Sequence, residues 1–353
     1  MTSEKRINLL DLSFSEMTQL LADWGQPRFR ATQLWRWVYH SLTANPDEMV
    51  NLPKELRARL AEETYVGRLT PVGALQDDQG LTEKLALATA DGQVIEVVLM
   101  RYTNRNTVCV SSQIGCALGC LFCATGQQGL VRDLSTGEMV AQVLHYAQRL
   151  RETNAHVTHV VFMGMGEPLL NFDAVWKAIQ NLNDREGLAL GMRRFTISTA
   201  GIAPGIERMA REGSEVGLSV SLHAPDNALR NQLVPINRRY PLERLLPACR
   251  LYTERTGRRV TFEYALIQGV NDSERHAVQT ARLLQGLLCH INLIPLNPVE
   301  GCGYEPSSRE RVLQFQETLV KHKMQTTVRL RRGVDIQAGC GQLRGRMLTP
   351  QGG

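Results

Sequence analysis

The chain has 353 residues, of which 43% are hydrophobic and 21% are charged, and its net charge is +5 at pH 7. This length suffices for one large domain plus an appendage, and the composition is typical of a globular protein rather than a disordered one. The small positive charge favours an acidic partner but does not identify one.

The first residues and the apolar runs predict where the protein is found. The N-terminus meets polar and acidic residues before any apolar run long enough for a signal peptide. No stretch approaches the roughly 18 apolar residues of a membrane span. We therefore expect a cytoplasmic protein with no membrane partner. In that reducing compartment, the eight cysteines are expected to serve metal binding or catalysis rather than structural disulfides.

The N-terminal quarter differs in pattern from the rest of the chain. The stretches "RFRATQLWRWVYHSL" and "LPKELRARLAEE" are predicted to be helical, and 81–101 is predicted to form two strands that turn at Asp91-Gly92. We predict a small N-terminal helical accessory domain over 1–90, a barrel over 91–325 and a C-terminal extension over 326–353.

From about Thr107 onward, short β-branched runs alternate with amphipathic stretches, which predicts repeated βα units. The predicted strands are 107–112, 159–163, 194–199, 216–222, 259–266 and 289–295. The predicted helices begin near Ser135, Phe172, Pro241 and Ser273, at residues suited to helix starts, and the Pro241 helix is predicted to end at Gly257. Six such units predict an α/β fold with an open, partial (β/α)6 barrel.

Polar motifs follow four of these strands. They are "GMGEP", "STAG", "SLHAP" and "LNP". In barrels of this kind, chemistry takes place at the carboxyl ends of the strands. The motifs are therefore expected to meet at one mouth of the barrel.

Cys116, Cys120 and Cys123 form a C-x3-C-x2-C motif in the loop after the first predicted barrel strand, with Phe122 before the last cysteine. A structural zinc site needs four ligands, and no second pair of ligands lies nearby in the sequence. Three thiolates suit a four-iron cluster in which one iron stays open to bind another molecule. The motif thus favours an iron–sulfur cluster over zinc or buried thiols.

An open iron is the feature used by radical S-adenosylmethionine (SAM) enzymes, and the chain resembles one family of them over nearly its full length. The matching segments are "FRATQLWRWVY", "LPKELR", "TVCVSSQIGCALGCLFCATGQQG", "FMGMGEPLLNFDAV", "STAGIAPGI", "LSVSLHAPD", "LIPLNPV" and "DIQAGCGQL". In these segments the chain resembles the RlmN/Cfr radical SAM RNA methyltransferases, and among them the RlmN type. The resemblance implies a radical SAM barrel, a 4Fe-4S cluster on the three cysteines and two SAM molecules per turnover.

The resemblance also implies a mechanism with two further cysteines. Cys340 accepts a methyl group from one SAM, and a radical derived from a second SAM joins that carbon to the base. Cys109, seven residues before the first cluster cysteine, then attacks the Cys340 sulfur and leaves a disulfide. Glu96 would take the ring proton, although its place in "QVIEVV" also permits a solvent-facing strand residue. Without the resemblance, both cysteines would be interpreted as buried apolar residues.

The same resemblance implies a set of SAM-binding residues. They are Gly166, Glu167, Ser198, Ser221, Leu222, His223 and Asn297. Several have an alternative role as helix caps or turn residues. For RNA, the candidates near Cys340 are Arg329, Arg331, Arg332, Arg344 and Arg346, and the N-terminal candidates are Arg28, Arg30 and Arg36 among Trp35, Trp37 and Tyr39. The alternative to RNA binding is that the arginines are solvated surface residues and that the aromatic residues belong to the core.

The substrate implied is carbon 2 of an adenosine in 23S rRNA, with tRNA as a second target and a one-electron donor such as flavodoxin or ferredoxin as partner of a monomeric enzyme. A Cfr-type enzyme that methylates carbon 8 and confers antibiotic resistance is the nearest alternative. A non-catalytic, zinc-stabilised RNA-binding protein is an alternative of another class. A methylthiotransferase-like enzyme would be expected to bind a second cluster, for which the remaining cysteines are not grouped.

Overall fold

A computed structural model describes residues 6–299, 301–329, 333 and 336–345. The N-terminal part consists of short helices closed by a parallel strand pair. Its elements are β1 (Ile7–Asn8), α1 (Phe14–Asp23), α2 (Phe29–Trp35), α3 (Lys54–Glu63) and β2 (Thr64–Tyr65). Ser13 and Glu16 form a capping box at the start of α1, and a π-helical turn extends α2 to His40. Both stretches predicted to be helical are helices.

In the described part of the chain, ten strands form one sheet, and two more form a separate hairpin beside it. The antiparallel strands are β3 (Thr70–Gln76), β4 (Thr82–Ala88), β5 (Val94–Tyr102) and β6 (Arg105–Cys109). The separate hairpin consists of β7 (Gln113–Gly115) and β8 (Leu130–Asp133). The remaining strands are β9 (His159–Phe162), β10 (Phe195–Thr199), β11 (Gly217–Ser221), β12 (Val260–Leu266), β13 (Cys289–Pro295) and β14 (Thr326–Val328).

Strands β6 and β9 to β14 pair in parallel, in chain order, as the wall of an open barrel. A short helix, α4 (Ala124–Gln127), directly follows Cys123 in the cysteine loop. The helices outside the barrel wall are α5 (Thr136–Arg151), α6 (Phe172–Asn183), α7 (Ala203–Glu212), α8 (Asn227–Leu233), α9 (Leu242–Thr256), α10 (Glu274–Leu283) and α11 (Arg309–Lys321). Ser135 and Ser273 cap α5 and α10, and α9 ends at Gly257 with a φ of 66°. These helix boundaries confirm the capping predictions.

The parallel strands present two different faces. Val160, Ile197, Val220, Phe262 and Ile291 are completely buried in the core that the sheet shares with its helices. Most of the alternate positions on β10 to β13 are polar. They include Ser198, Ser219, Ser221, Glu263 and Asn292, which lie side by side in the strand register. Because strand side chains alternate between faces, this polar row lines the inside of the barrel.

All six predicted barrel strands are present, and a seventh short strand, β14, extends the wall at its open edge. The expected domain boundary at residue 90 lies between β4 and β5, which pair as a hairpin that turns at Asp91-Gly92. Because β3 and β4 belong to the sheet, we propose that the helical domain ends near residue 66 instead. No helix within the described ranges is long and apolar enough to cross a membrane.

Candidate active site

Two adjoining cavities lie at the carboxyl ends of the parallel strands. The inner cavity, of about 180 Å³, is lined by the three clustered cysteines and by residues of the strand ends. The outer cavity, of about 460 Å³, reaches from Cys109 to the β5–β6 hairpin. The residues that line both cavities are Met163, Ile294, Asn297, Arg329 and Cys340. Cys340 therefore lies on the boundary between the two.

The predicted cluster cysteines, Cys116, Cys120 and Cys123, all face the inner cavity. Burial raises the pKa of the Cys116 thiol to about 12, and it raises the pKa of Cys120 and Cys123 as well. Within the described ranges, no three His, Cys, Asp or Glu side chains converge on one point as ligands of a single ion would. In a 4Fe-4S cluster each thiolate binds a different iron, so separate thiols around one cavity fit such a cluster.

Glu167 connects the ends of two strands beside this cavity. Its buried carboxylate accepts hydrogen bonds from the Ala200 amide at 2.7 Å and from the Leu169 amide at 3.1 Å. The Glu167 amide donates to the Gln113 side chain at 2.7 Å. Burial raises the Glu167 pKa to about 7 despite the hydrogen bonds to its carboxylate. The predicted Gly166-Glu167 pair thus lines the cavity and also fixes the loop after β9 against β10.

His223 and Asn297 offer polar groups to the inner cavity. His223 Nδ1 accepts from the Ala265 amide at 3.0 Å, and burial lowers the pKa of the ring to about 3. The ring is therefore neutral, with its proton on Nε2. Asn297 Nδ2 donates to the Cys340 carbonyl at 3.1 Å, but its buried Oδ1 has no hydrogen-bond partner among the described residues. A donor group of a bound ligand, such as the SAM amino group, would satisfy that oxygen.

The other predicted SAM-binding residues differ in position. Ser198 and Ser221 line the inner cavity at the ends of β10 and β11. Leu222 is completely buried, does not line either cavity and donates its amide to the Glu263 carbonyl at 2.9 Å. The structure therefore brings Gly166, Glu167, Ser198, Ser221, His223 and Asn297 to one cavity, with Leu222 behind it.

Sequence reasoning missed Arg230, which lies on α8 and is completely buried. Its guanidinium group donates to the carbonyls of Ala200, Ser221 and Leu222 at 2.6, 2.8 and 3.1 Å. Burial lowers its pKa to about 10. Arg230 therefore ties the ends of β10 and β11 together. An arginine on a short polar helix carries no sequence signal of this burial.

Cys109 and Cys340 both line the outer cavity although they are 231 positions apart in the sequence. Cys109 ends β6, and burial raises the pKa of its thiol to about 12, while the nearby Arg329 opposes that rise. Arg329 lines both cavities. All eight cysteines are free, so the disulfide expected from the resemblance is absent from the structure. Cys249 and Cys289, which belong to no motif, are buried in the core.

The C-terminal residues 336–345, here named the Cys340 segment, are held against the cysteine loop and the loop after β13. The hydrogen bonds run from the Ala124 amide to the Gly341 carbonyl (2.7 Å), from the Thr125 hydroxyl to the Leu343 carbonyl (2.6 Å) and from the Gln342 side chain to the Pro298 carbonyl (2.8 Å). The segment that carries Cys340 thereby covers the inner cavity beside the cluster cysteines.

Glu96 is 1% exposed, so its interpretation as a solvent-facing residue is wrong. It lies on the same face of the sheet as Cys109, because Val98, two residues away on β5, pairs directly with Cys109. Its carboxylate is 3.6 Å from the Lys84 ammonium group. Glu96 is not among the residues that line either cavity.

The N-terminal candidates for RNA contact separate into two groups. Trp35 and Tyr39 are completely buried and stack on each other at 4.2 Å between ring centroids, so they are core residues. Arg28 and Arg36 are exposed, and Arg36 pairs with Glu186. Arg331, Arg332 and Arg346 lie outside the described residues.

Two known protein families match different parts of this chain. Residues 110–281 match the radical SAM superfamily, whose members use a 4Fe-4S cluster and SAM. Residues 7–66 match a family described as the ribosomal RNA large subunit methyltransferase N-terminal domain. The second match ends at residue 66, directly after β2, where we also propose that the helical domain ends.

Individual relatives match nearly the whole chain. A probable dual-specificity RNA methyltransferase RlmN of Chloroflexus aurantiacus is 48% identical over 97% of this chain and 94% of its own length. The dual-specificity RNA methyltransferase RlmN of Alkalilimnicola ehrlichii is 47% identical, over 97% and 94% respectively.

A solved structure agrees with these relatives. The crystal structure of a radical SAM methyltransferase from Sphaerobacter thermophilus is 52% identical, covers 96% of this chain and all of its own, and superposes with a TM-score of 0.93. Identity at this level over nearly the full length, together with cysteines that fit a cluster, settles the family. The chain belongs to the RlmN family of radical SAM RNA methyltransferases.

Proposed function

We propose that this protein methylates carbon 2 of an adenosine in 23S rRNA, and of an adenosine next to the anticodon in tRNA. The observation that carries the proposal is the position of Cys340 on the boundary between the cysteine-lined inner cavity and the outer cavity that contains Cys109. A methyl carrier must reach both the place where it is loaded and the place where the base binds. The dual specificity in the names of the relatives supports both RNA substrates.

Carbon 2 of adenine lies between two ring nitrogens and is electron-poor, so it does not attack a methyl group directly. When bound, SAM supplies a methyl group, and SAM with the cluster supplies a radical that takes hydrogen from a methyl group. We assign Cys116, Cys120 and Cys123 to the cluster. To SAM we assign Gly166, Glu167, Ser198, the Ser221-Leu222-His223 segment and Asn297.

The chain's own residues then carry the methyl carbon. Cys340 holds it as a thioether and becomes joined to the base through that carbon. The ring of the adduct is aromatic again once it has lost its proton and one electron, and this electron returns to the one-electron carrier. Glu96, whose carboxylate is 3.6 Å from the Lys84 ammonium group, is the group to which we assign the ring proton. The Cys109 thiolate attacks the Cys340 sulfur, and the electron pair of the broken carbon–sulfur bond stays on the carbon, which takes a proton. The two sulfurs remain joined only until a thiol reductant restores both.

We also propose a one-electron donor such as flavodoxin or ferredoxin as partner, and a monomer as the working form. An adenosine in folded RNA would have to leave its stack to reach the outer cavity, as the targets of other base-modifying enzymes do. Exposed arginines such as Arg28 suit contacts with RNA phosphates.

The test is anaerobic turnover of the cluster-loaded protein with methyl-labelled SAM and 23S rRNA that lacks the modification. We expect wild type to form 2-methyladenosine, Cys109→Ala to accumulate protein covalently joined to RNA, and Cys340→Ala to give neither. Cys302→Ala is the matched control, since this partly exposed loop thiol lies outside both cavities and should leave product unchanged.

If both Cys109→Ala and Cys340→Ala still methylate RNA, the two-cysteine mechanism is wrong. Mass spectrometry of the digested RNA, with both isomers as standards, decides the position of the methyl group. If only 8-methyladenosine forms, the proposed position of methylation changes from carbon 2 to carbon 8.

A further inference from the structure

A buried ion pair on the antiparallel edge of the sheet contacts the Cys340 segment on both sides of Cys340. Lys84 on β4 and Glu96 on β5 have side chains that are 3% and 1% exposed, and their charged groups are 3.6 Å apart. Lys84 Nζ donates to the Gln337 carbonyl at 3.0 Å. The Arg344 amide donates to the Glu96 carboxylate at 3.3 Å. One ion pair therefore anchors the segment before and after Cys340.

The strand register explains why both charges face the segment. Lys84 is opposite Val98 on β5, and Val98 is opposite Cys109 on β6. Directly paired residues share a face of the sheet, and so do residues two apart on one strand. Lys84, Glu96 and Cys109 therefore project from the same face, toward the side on which the Cys340 segment lies.

Burying both charged side chains costs free energy, so stability alone does not explain this ion pair. A lysine is rarely buried unless it is paired, and a buried ion pair is weak support for stability because both charges lose water. Such pairs are retained in some proteins because they fix one geometry. This ion pair fixes the position of the Cys340 segment through two hydrogen bonds to the backbone of that segment.

We propose that Lys84 is a positioning residue that, with Glu96, holds the Cys340 segment so that Cys340 stays at the boundary of the two cavities. The assignment of Cys340 as methyl carrier rests on the proposed function, but the anchoring does not. Lys84 acts on the segment directly at Gln337, and through Glu96 at Arg344.

The test measures the segment itself in the full-length, cluster-loaded protein without RNA. Hydrogen exchange is compared in wild type, Lys84→Met and Lys84→Arg for peptides covering 336–339 and for peptides covering 341–345, which lie before and after Cys340. For Lys84→Met we expect both rates to rise about tenfold, the factor for losing a charged hydrogen bond that opposes local opening. Lys84→Arg keeps the charge and a donor, so it should largely restore both rates.

Lys177→Met is the matched control, because Lys177 also forms an ion pair, with Glu16, but a partly exposed one on α6. It should change neither rate. The Lys84→Met variant leaves the Glu96 carboxylate buried without its cation. If this variant does not fold, a double variant that combines Lys84→Met with Glu96→Gln removes both charges. The double variant still lacks the donor to Gln337, and its segment should exchange faster as well.

A turnover measurement distinguishes positioning from packing. We expect Lys84→Met to lower kcat for RNA methylation about tenfold while KM for RNA stays within twofold, since the RNA-binding surface is unchanged. Wild-type exchange rates in folded Lys84→Met, or in the double variant, would overturn the proposal. Failure of the wild-type protein to methylate RNA would instead overturn the proposed function and leave the exchange result intact.

Discussion

His223 is a residue at which burial decides the charge state. Its ring packs edge-on against Phe122 at 4.8 Å between centroids, and its Nδ1 accepts the Ala265 amide. A charged imidazole would lose water here without gaining a carboxylate partner, and Arg230 adds repulsion. The consequence is a pKa of about 3 in the folded protein, below the usual value of 6.5.

This shift predicts acid sensitivity. The unfolded chain binds more protons at His223 between pH 6.5 and 3, so its contribution to stability is complete above pH 6.5 and is lost as the pH falls toward 3. When the pH is lowered from 7.5 to 5.0, we expect the unfolding free energy of His223→Asn to fall by about 2 kcal/mol less than that of wild type. Urea unfolding at both values measures this, with exposed His322→Gln as the control. Parallel losses in wild type and His223→Asn would contradict the prediction.

At the scale of elements, the loop after β9 depends on a close approach to the loop after β6. Gly166 has a φ of 101°, and a Cβ there would lie 2.6 Å from Cβ of Gln113. Gln113 in turn accepts the Glu167 amide and donates to Asp133 at 2.7 Å. A side chain at position 166 would therefore push apart the loops that carry the predicted SAM-binding residues and the cluster cysteines.

We expect Gly166→Ala to lower the unfolding free energy by about 2–3 kcal/mol through strain and overlap. SAM binding by the cluster-loaded protein should weaken at least about tenfold, because Glu167 moves with the loop. Gly213→Ala is the control: Gly213 has a φ of 59° at the end of α7, but nothing lies within 4 Å of a Cβ there. That variant should lose about 1 kcal/mol and bind SAM normally. Equal SAM affinities in the two variants would refute this explanation.

At the scale of the whole molecule, the N-terminal helices are fastened to the barrel by specific polar contacts. Buried Asn181 on α6 donates to the Leu12 carbonyl at 2.9 Å and to the Tyr39 hydroxyl at 3.2 Å. The Asp11 carboxylate accepts the Gly137 amide at the start of α5 at 2.6 Å. These contacts place the helical domain on the outer surface of the barrel, against α5 and α6.

We expect Asn181→Ala to cost about 1–3 kcal/mol, because the buried Tyr39 hydroxyl and the half-buried Leu12 carbonyl of the N-terminal domain lose their partner. Limited proteolysis should then cut within residues 6–66 before it cuts the barrel. Asn183→Ala on the same helix removes a bond to Leu190, within the barrel domain, and should not expose the N-terminal domain. Equal N-terminal cleavage of the two variants would show that Asn181 does not fasten the domains.

The sequence by itself determined the elements whose signals are local. The barrel strands, the capped starts of α5 and α10 and the end of α9 at Gly257 follow from patterns within a few residues. The grouping of the cluster cysteines is local too, since their spacing lies in one loop. Resemblance added Cys340 and the predicted SAM-binding residues, of which Leu222 lies behind the cavity rather than on it.

Only the tertiary structure decided which distant residues meet. The pairing of Lys84 with Glu96, and their contacts with residues beyond 330, depend on the register of β4 and β5 and on where the Cys340 segment packs. The role of Arg230 depends on three carbonyls that different strand ends present to it. Burial, which no local pattern reveals for a charged residue, lowers the pKa of Arg230 and of His223, because the cost of removing a charge from water depends on everything packed around it.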